Sequence, residues 1–302
     1  MSRTAFLFPG QGSQFTGMAA DLYTAHAHAR NVLDRADAVL DFGLTGIMFG
    51  DDEAALKATQ NTQPALYVHS MAVLAAMDSS AMDMAAGHSL GEYSALAAAG
   101  AISFEDGLRM VRLRGELMAG AGDERPGGMA ALIGMDDADV ESLCVDASDA
   151  TTVVQPANYN SPGQIVISGD ALAVERAVAL APDRGARRAI PLPVSGAFHS
   201  PLMAHAADGL AEGLRALTIV APRVPVYLNV TGEACTDPEE IRLRLLEQLT
   251  APVRWTQTLA AMHRDGATTF VEVGAGKVLA GLVKRTLGRD VETRTVGTAD
   301  EL

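Results

Sequence analysis

The sequence predicts an α/β protein in which a large domain with a mainly parallel sheet carries a small inserted subdomain. Three observations lead to this fold class. The 302 residues are long for one small domain and short for two full ones. Short apolar runs alternate with helical segments in the first and last parts of the chain, which is typical of parallel strands joined by helices. The pattern changes between them, so we predict a large domain at 1–124 and 197–302 and a small one at 125–196.

The first part of the chain begins with a predicted buried strand, because the apolar run TAFLF is short and ends at Pro9-Gly10. Pro64 is placed in the first turn of a helix, where proline is tolerated. The segment MDMAAG is weak as a strand by propensity, but it precedes a small-residue helix and so supports a strand-turn-helix unit. The predicted elements are a strand at 4–8, helices at 19–40 and 64–77, a strand at 82–87 and a helix at 104–119.

The middle of the chain is predicted to form the small subdomain. Residues 127–135 favour a strand, and 151–169 favour two strands around an Asn/Pro/Gly turn. A helix at 171–181 and an extended segment at 187–196 follow. With a helix after the first strand, the order is strand, helix, strand, strand, helix, strand. This is the split βαβ pattern of a ferredoxin-like subdomain.

The last part of the chain returns to the α/β pattern of the first. Its predicted elements are a helix at 200–217, a strand at 224–230, helices at about 238–250 and 256–264, a strand at 268–274 and a closing helix at 276–287. These elements complete the large domain.

Composition and charge exclude several classes of function. The net charge of −14 argues against nucleic acid or an anionic membrane as a partner. No apolar run approaches the roughly 20 residues that cross a bilayer, and the first apolar run is too short for a signal peptide, so a cytoplasmic protein is expected. Cys144 and Cys235 have no metal-binding spacing, and no metal site is expected. Residues 242–294 are locally basic, with 9 basic residues against 5 acidic ones, and this region is a candidate surface for an acidic partner.

Residues 87–91, GHSLG, place Ser89 between two glycines after a predicted strand. This G-x-S-x-G spacing is typical of a nucleophile elbow, in which a serine sits on a strained turn between a strand and a helix, as in an α/β-hydrolase-like domain. The N–H of Leu90 and the helix N-terminus would then face the oxygen of the attacked carbonyl. A glycine-rich turn without any chemistry has the same pattern.

A serine needs a base to become a nucleophile. His88 is adjacent in sequence, and a neighbour at an elbow usually points away, so a packing role is predicted for it. His199, in PLPVSGAFHSPLM, follows an extended segment and precedes a helix, which is a position where catalytic groups gather in open α/β sheets. A surface histidine at a helix start fits this stretch equally well.

Seven blocks of the sequence, taken together and in order, resemble malonyl-CoA:acyl carrier protein transacylases, a family related to the acyltransferases of polyketide synthases. The blocks include FLFPGQGSQFTGM, GHSLGEYSAL and NYNSPGQIVISG. They lie at 6–18, 62–66, 87–96, 112–118, 158–169, 191–203 and 271–285 and span nearly the whole chain.

The resemblance implies roles for individual residues. Ser89 would be the acylated nucleophile, His199 its general base and acid, and the backbone carbonyl of Gln248 would orient the imidazole. A main-chain acceptor can come from any residue, so the side chain at 248 is uninformative at this stage. The N–H groups of Gln11 and Leu90 would form the oxyanion hole.

The resemblance also implies how the acyl group is bound. Arg114 would bind the free carboxylate of a malonyl group, although Arg109, Arg112 and Arg114 cannot be separated by composition alone. Gln63 and Asn160 would line the pocket. Phe198 would crowd an α-methyl group and so favour malonyl over methylmalonyl.

The implied activity is transfer of malonyl from coenzyme A to the phosphopantetheine thiol of an acyl carrier protein in fatty acid biosynthesis, by a monomeric enzyme without metal, nicotinamide or flavin. GAGK at 274–277 lacks the spacing of a phosphate loop. Three alternatives remain open: a trans-acting polyketide acyltransferase or editing hydrolase, an esterase sharing G-x-S-x-G, and a non-catalytic module that binds carrier protein. An esterase would normally supply an Asp or Glu between serine and histidine in chain order.

Overall fold

A computed structural model describes residues 2–120, 126–194 and 196–302. The predicted domain boundary between 124 and 125 lies outside these residues. Within them the chain forms two sheets. The larger sheet has six strands and the smaller has four.

The strands of the large sheet are β1 (Arg3–Phe8), β2 (Met84–Gly87), β7 (Val226–Tyr227), β8 (Ala234–Cys235), β9 (Ala267–Val273) and β10 (Glu292–Val296). They lie in the order β10-β9-β1-β2-β7-β8. The sheet is parallel except at one edge, where β7 and β8 pair antiparallel. Both faces are covered. Phe6 and Phe8 of β1 pack into one hydrophobic core, while Ala5 and Leu7 pack into another. Burial on both faces explains why this strand is a continuous apolar run.

Helices surround the large sheet. Before the small sheet they are α1 (Ala20–Ala25), α2 (Ala27–Leu40), α3 (Leu44–Phe49), α4 (Glu53–Lys57), α5 (Thr59–Ala76), α6 (Gly91–Ala98) and α7 (Phe104–Ala119). After it they are α10 (Ala207–Ala216), α11 (Pro238–Glu247), α12 (Trp255–Arg264) and α13 (Val278–Leu287). No helix among the described residues is both long and apolar enough to cross a membrane.

The small sheet is antiparallel throughout and has a hydrophobic core of its own. Its strands are β3 (Gly127–Ile133), β4 (Val154–Ser161), β5 (Gln164–Asp170) and β6 (Arg188–Pro191), and its helices are α8 (Asp137–Ala147) and α9 (Ala171–Leu180). Strands and helices follow one another in the predicted order. β4 also contacts the segment before α12 (Trp255–Arg264), because Tyr159 N donates to Val253 O at 2.9 Å and Val253 N donates to Ala157 O at 2.8 Å.

Several predicted element bounds are wrong. The helix predicted at 19–40 is two helices, because His26 between them is extended. The helix predicted at 200–217 begins as a 3-10 turn, Pro201–Ala206, before α10. The strand predicted at 224–230 is only two residues long, and the edge strands β8 and β10 were not predicted.

Pro64 lies inside helix α5 and not in its first turn. A proline within a helix has no N–H to donate to the carbonyl four residues earlier, which here belongs to Gln60. That carbonyl accepts instead from Arg112 Nη1 at 2.9 Å. A residue on a neighbouring helix therefore replaces the missing bond, and this compensation cannot be read from the local sequence.

Candidate active site

Ser89 lies on the turn between β2 and α6, with a left-handed backbone conformation (φ 53°) that is unusual for a residue other than glycine. The flanking glycines make the turn possible. A Cβ on Gly87 would lie 1.8 Å from Gly91 O, and a Cβ on Gly91 would lie 2.2 Å from Phe8 O. Close approach of three backbone segments therefore explains the G-x-S-x-G spacing.

Asn229, after strand β7, fixes this turn from the other side. Its Oδ1 accepts from Ser89 N at 2.7 Å, and its Nδ2 donates to Gly87 O at 2.7 Å. Sequence reasoning did not find this residue, because nothing near Asn229 in the chain indicates contact with the serine. Its two bonds offset the strain of the Ser89 backbone.

His199 is buried beside the serine, with its Nε2 2.8 Å from Ser89 Oγ. Its Nδ1 lies 2.8 Å from the backbone oxygen of Gln248. A carbonyl only accepts, so Nδ1 carries the proton and Nε2 presents a lone pair to the serine hydroxyl. Burial lowers the pKa of His199 to about 3, and the charge of Arg114 acts in the same direction. The imidazole is therefore neutral at pH 7 and ready to accept a proton.

The small sheet helps to hold this histidine. His199 also has a left-handed backbone (φ 57°), and Gln155 of β4 donates from Nε2 to His199 O at 3.0 Å and to Thr250 O at 3.1 Å. Gln155 was not among the predicted site residues. Its position in a strand of another sheet gave no sequence signal for this contact.

Arg114 is 1% exposed and points at the serine, with Nη2 3.1 Å from Ser89 Oγ. Nη1 donates to Gln63 Oε1 at 2.8 Å, and Nη2 also donates to Gln248 Oε1 at 3.0 Å. Arg109 and Arg112 lie elsewhere: the first pairs with Asp106 at 3.5 Å on an exposed face, and the second pairs with Glu116 at 2.6 Å. The structure thus selects one of the three arginines that sequence alone left open.

Gln248 takes part in the site through both its backbone carbonyl and its side-chain amide. Besides the backbone oxygen that meets His199, its buried side chain joins Arg114 to two further groups: Nε2 donates to Ser89 O at 3.1 Å and to Glu92 Oε2 at 3.1 Å. The side chain, which sequence reasoning treated as uninformative, is thus a central member of the site.

The remaining predicted residues occupy different surroundings. His88 turns away from the serine, as predicted: its Nε2 lies 2.8 Å from Asn160 Oδ1, and its ring meets Trp255 edge-on at 5.4 Å between centroids. Asn160 was predicted to line the pocket, but the contact found for it is this bond to His88. Phe198 is buried in the main core beside His199.

Gln11 lies on the loop after β1, which the parallel pairing of Phe8 with Gly87 brings beside the serine turn. Gly10 allows this approach, because a Cβ there would lie 2.4 Å from His88 O. A cleft of about 540 Å³ opens at Gln11. Leu90 follows Ser89 at the N-terminus of α6. No group of three or more metal-ligating side chains occurs in the part of the chain that the structure describes.

Comparison with known proteins shows which family has this sequence. The family model described as "Acyl transferase domain" matches residues 5–299. The malonyl CoA-acyl carrier protein transacylase of Bacillus subtilis (strain 168) is 47% identical over 99% of this chain and 94% of its own.

This chain belongs to the malonyl-CoA:acyl carrier protein transacylase family.

Solved structures of other transacylases agree with the fold. An acyl carrier protein S-malonyltransferase from Vibrio cholerae superposes with a TM-score of 0.94 at 42% identity, covering 99% of this chain and 98% of that one. A malonyl-transacylase in complex with a type II polyketide synthase acyl-carrier protein gives a TM-score of 0.95 at 40% identity, covering 99% and 97%. The α/β fold with a mainly parallel large sheet is therefore shared with solved members of the transacylase family.

Proposed function

We propose that this protein transfers a malonyl group from coenzyme A to the phosphopantetheine thiol of an acyl carrier protein through a malonyl-serine ester. One observation carries the proposal: a buried guanidinium lies 3.1 Å from a serine hydroxyl that is itself paired with a neutral histidine. A nucleophile beside a carboxylate-binding group suits an acyl group that has a carboxylate at its far end. The names of the relatives support the same donor and acceptor.

In the first half-reaction, His199 Nε2 takes the proton from Ser89 Oγ as the oxygen attacks the thioester carbon. The N–H groups of Leu90 and Gln11 are assigned to the resulting oxyanion, and the N-terminus of α6 adds positive potential. The tetrahedral intermediate collapses by breaking the C–S bond. Coenzyme A leaves as a thiol, protonated by the imidazolium.

The second half-reaction runs in reverse order. His199 removes the proton of the phosphopantetheine thiol, the thiolate attacks the malonyl-serine ester, and Ser89 leaves with the proton returned by the imidazolium. This is ping-pong covalent catalysis and uses no cofactor of the enzyme's own. Phosphopantetheine belongs to the partner protein.

Arg114 is assigned to the malonyl carboxylate. Its buried Nε has no hydrogen-bond partner among residues 2–120, 126–194 and 196–302. A buried donor without an acceptor is costly, and a substrate carboxylate would satisfy it. Phe198, next to the base, is assigned the role of excluding an α-methyl group. Gln63 and Asn160 are assigned to the lining of the acyl pocket.

The geometry around the base separates this proposal from an esterase. In an esterase of the G-x-S-x-G type an Asp or Glu accepts from the histidine Nδ1, whereas here the backbone oxygen of Gln248 does so. An editing hydrolase of the same family shares the dyad and differs only in its final acceptor. A trans-acting polyketide acyltransferase differs only in its carrier protein.

We also propose a ferredoxin-like small subdomain, which the strand order β4-β5-β3-β6 with two helices supports, and an α/β-hydrolase-like large domain, which the serine turn after β2 supports. The protein is further proposed to act as a cytoplasmic monomer in fatty acid biosynthesis. Neither nucleic acid nor membrane is expected as a partner.

Intact-mass spectrometry with a panel of acyl-CoAs tests the proposed function. Malonyl-CoA should add one malonyl group, peptide mapping should place it on Ser89, and addition of carrier protein should remove it and malonylate the carrier. Release of free malonate without carrier protein would indicate a hydrolase. A protein that never becomes acylated would be a binding module, and either result would contradict the proposal.

Carrier protein should dock on a basic surface formed by Lys277, Lys284 and Arg285 of the large domain with Arg187 and Arg188 of the small one, all of which are exposed. Carrier proteins are generally acidic, and so is this chain, so docking needs a local basic area. Arg285 donates to Gln164 of β5. Gln164 pairs with Ile133 of β3, which pairs in turn with Arg188 of β6, so the two parts of this surface lie two strands apart.

Charge reversal at Lys284 (Lys284→Glu) should raise the apparent KM for carrier protein several-fold, mainly through slower association. Formation of malonyl-serine from malonyl-CoA should stay unchanged. Arg215→Glu, an equal charge reversal on the exposed face of α10, is the matched control. If both half-reactions fall together, or neither changes, the surface has no role in docking.

A further inference from the structure

Glu92 is a buried acid beside the site to which the mechanism above gives no task. It lies one turn after Ser89 in helix α6 and is 0% exposed. A carboxylate in such a place needs compensation, because burial strongly disfavours its charge. Among the described residues, the hydrogen bonds of its carboxylate meet at Oε2, which accepts from Asn229 N at 2.7 Å and from Gln248 Nε2 at 3.1 Å.

The bond to Gln248 connects Glu92 to the substrate-binding arginine. A glutamine amide has an acceptor end and a donor end. Here Oε1 accepts from Arg114 at 3.0 Å and Nε2 donates to Glu92 at 3.1 Å. If the amide flipped, its NH₂ group would face the guanidinium, which can only donate, and its oxygen would face the carboxylate. Glu92, together with the Ser89 carbonyl that accepts from the same Nε2 at 3.1 Å, therefore holds the oxygen end of Gln248 toward Arg114.

The bond to Asn229 connects the same oxygen to the nucleophile. Glu92 Oε2 holds the Asn229 main chain, and the Asn229 side chain bonds to Ser89 N and Gly87 O at 2.7 Å each. One carboxylate oxygen thus orients both the arginine that meets the acyl group and the turn that carries the serine.

Charge supports this arrangement. Among the described residues, the Arg114 guanidinium donates to groups on Gln63, Ser89 and Gln248, and all of these groups are neutral. Burial raises the pKa of Glu92 to about 7, while the bonds from Asn229 and Gln248 and the charge of Arg114 oppose that rise. Burial lowers the pKa of Arg114, and Tyr93 and Glu92 oppose that fall. Glu92 and Arg114 thus favour each other's charged form across the Gln248 amide.

We propose that Glu92 is a positioning residue for substrate selection, which holds Arg114 through the Gln248 amide so that the enzyme prefers malonyl over acetyl groups. This inference rests on the proposed malonyl transfer. It predicts that loss of the Glu92 oxygen harms malonyl far more than acetyl, because acetyl has no carboxylate for Arg114 to bind. A merely structural role would slow both acyl groups alike.

Glu272 provides a matched control. It is also a buried glutamate, but its oxygens accept from Leu279 N at 3.1 Å and Ala280 N at 2.8 Å at the start of α13. Its bonds thus support a helix N-terminus and lead to neither Ser89 nor Arg114. Replacing it should lower stability without changing the choice of acyl group.

The experiment measures kcat/KM for serine acylation by malonyl-CoA and acetyl-CoA on the same preparation, so that any unfolded fraction cancels from the ratio. Glu92→Ala should lower the malonyl-to-acetyl ratio at least about tenfold. Glu92→Gln, whose amide oxygen can accept the same two bonds, should recover most of that loss. Glu272→Ala should leave the ratio unchanged. If Glu92→Ala does not fold, Glu92→Met fills a similar volume without the oxygen and takes its place.

A double-mutant cycle tests the route through Gln248. Once Gln248→Ala has removed the amide, adding Glu92→Ala should change the ratio less than about threefold, because the connection is already broken. An unchanged ratio in Glu92→Ala, or fully additive losses in the double variant, would overturn the inference. Failure of the proposed function is distinguishable, because the unmodified protein would then not be malonylated at all.

Discussion

Ser89→Ala should lower malonyl transfer to carrier protein at least about 10⁴-fold, because the covalent route disappears with the hydroxyl. The base and the arginine both serve this hydroxyl, because His199 Nε2 lies 2.8 Å and Arg114 Nη2 3.1 Å from Ser89 Oγ. The measurement is carrier-protein malonylation under steady-state conditions, together with the intact mass of the enzyme after malonyl-CoA, which should stay at the unmodified value.

Ser94→Ala is the matched control for this loss. Ser94 is a buried serine of helix α6, and among the described residues its hydroxyl has no hydrogen bond to His199 or Arg114. That variant should keep transfer within a few-fold of the unmodified protein. Substantial transfer by Ser89→Ala, or malonyl found on another serine, would contradict the assignment of the nucleophile.

Arg114→Ala should cost on the order of 3–5 kcal/mol in kcat/KM for malonyl-CoA, because the substrate carboxylate is then buried without a partner. Acetyl-CoA has no such carboxylate and should lose little. The preference for malonyl over acetyl should therefore shrink at least about a hundredfold, or about 2.7 kcal/mol. The measurement is kcat/KM for both acyl-CoAs, with folding checked by thermal melting. The oxygens of Gln63 and Gln248 that now accept from Arg114 would also lose their donor.

Arg109→Ala and Arg112→Ala control for loss of a nearby charge. Arg109 is exposed and pairs only loosely with Asp106, so its removal should change neither the ratio nor the stability. Arg112 satisfies the carbonyl of Gln60 that Pro64 leaves free, so its removal should lower the melting temperature and keep the ratio. A malonyl-to-acetyl ratio that is unchanged in Arg114→Ala would remove this arginine from the site.

Much of the fold could be predicted from the sequence because its signals are local. The apolar run of β1, the helical spacing of α7 and the strand-rich middle of the chain each reflect burial along one element. The misplaced start of α5 shows where this reasoning ends. Pro64 normally marks the beginning of a helix, and only the donor supplied by Arg112 from another helix allows it in the interior.

The sequence by itself determined the position of the serine turn: a serine between two glycines, whose spacing meets the steric demand of a backbone turn within five residues. The tertiary structure decided which side chains surround that serine. Of the three arginines only Arg114 is bonded to the serine hydroxyl among the described residues, and His88 bonds to Asn160 instead. Gln155, Asn229 and the side chain of Gln248 also lie at the site. Gln248 lies 159 residues from Ser89 in the chain, directly after helix α11. The two residues meet because α11 packs into the same hydrophobic core as Leu90, which follows the serine. Contacts of that kind depend on the packing of whole elements, so no local pattern in the sequence records them.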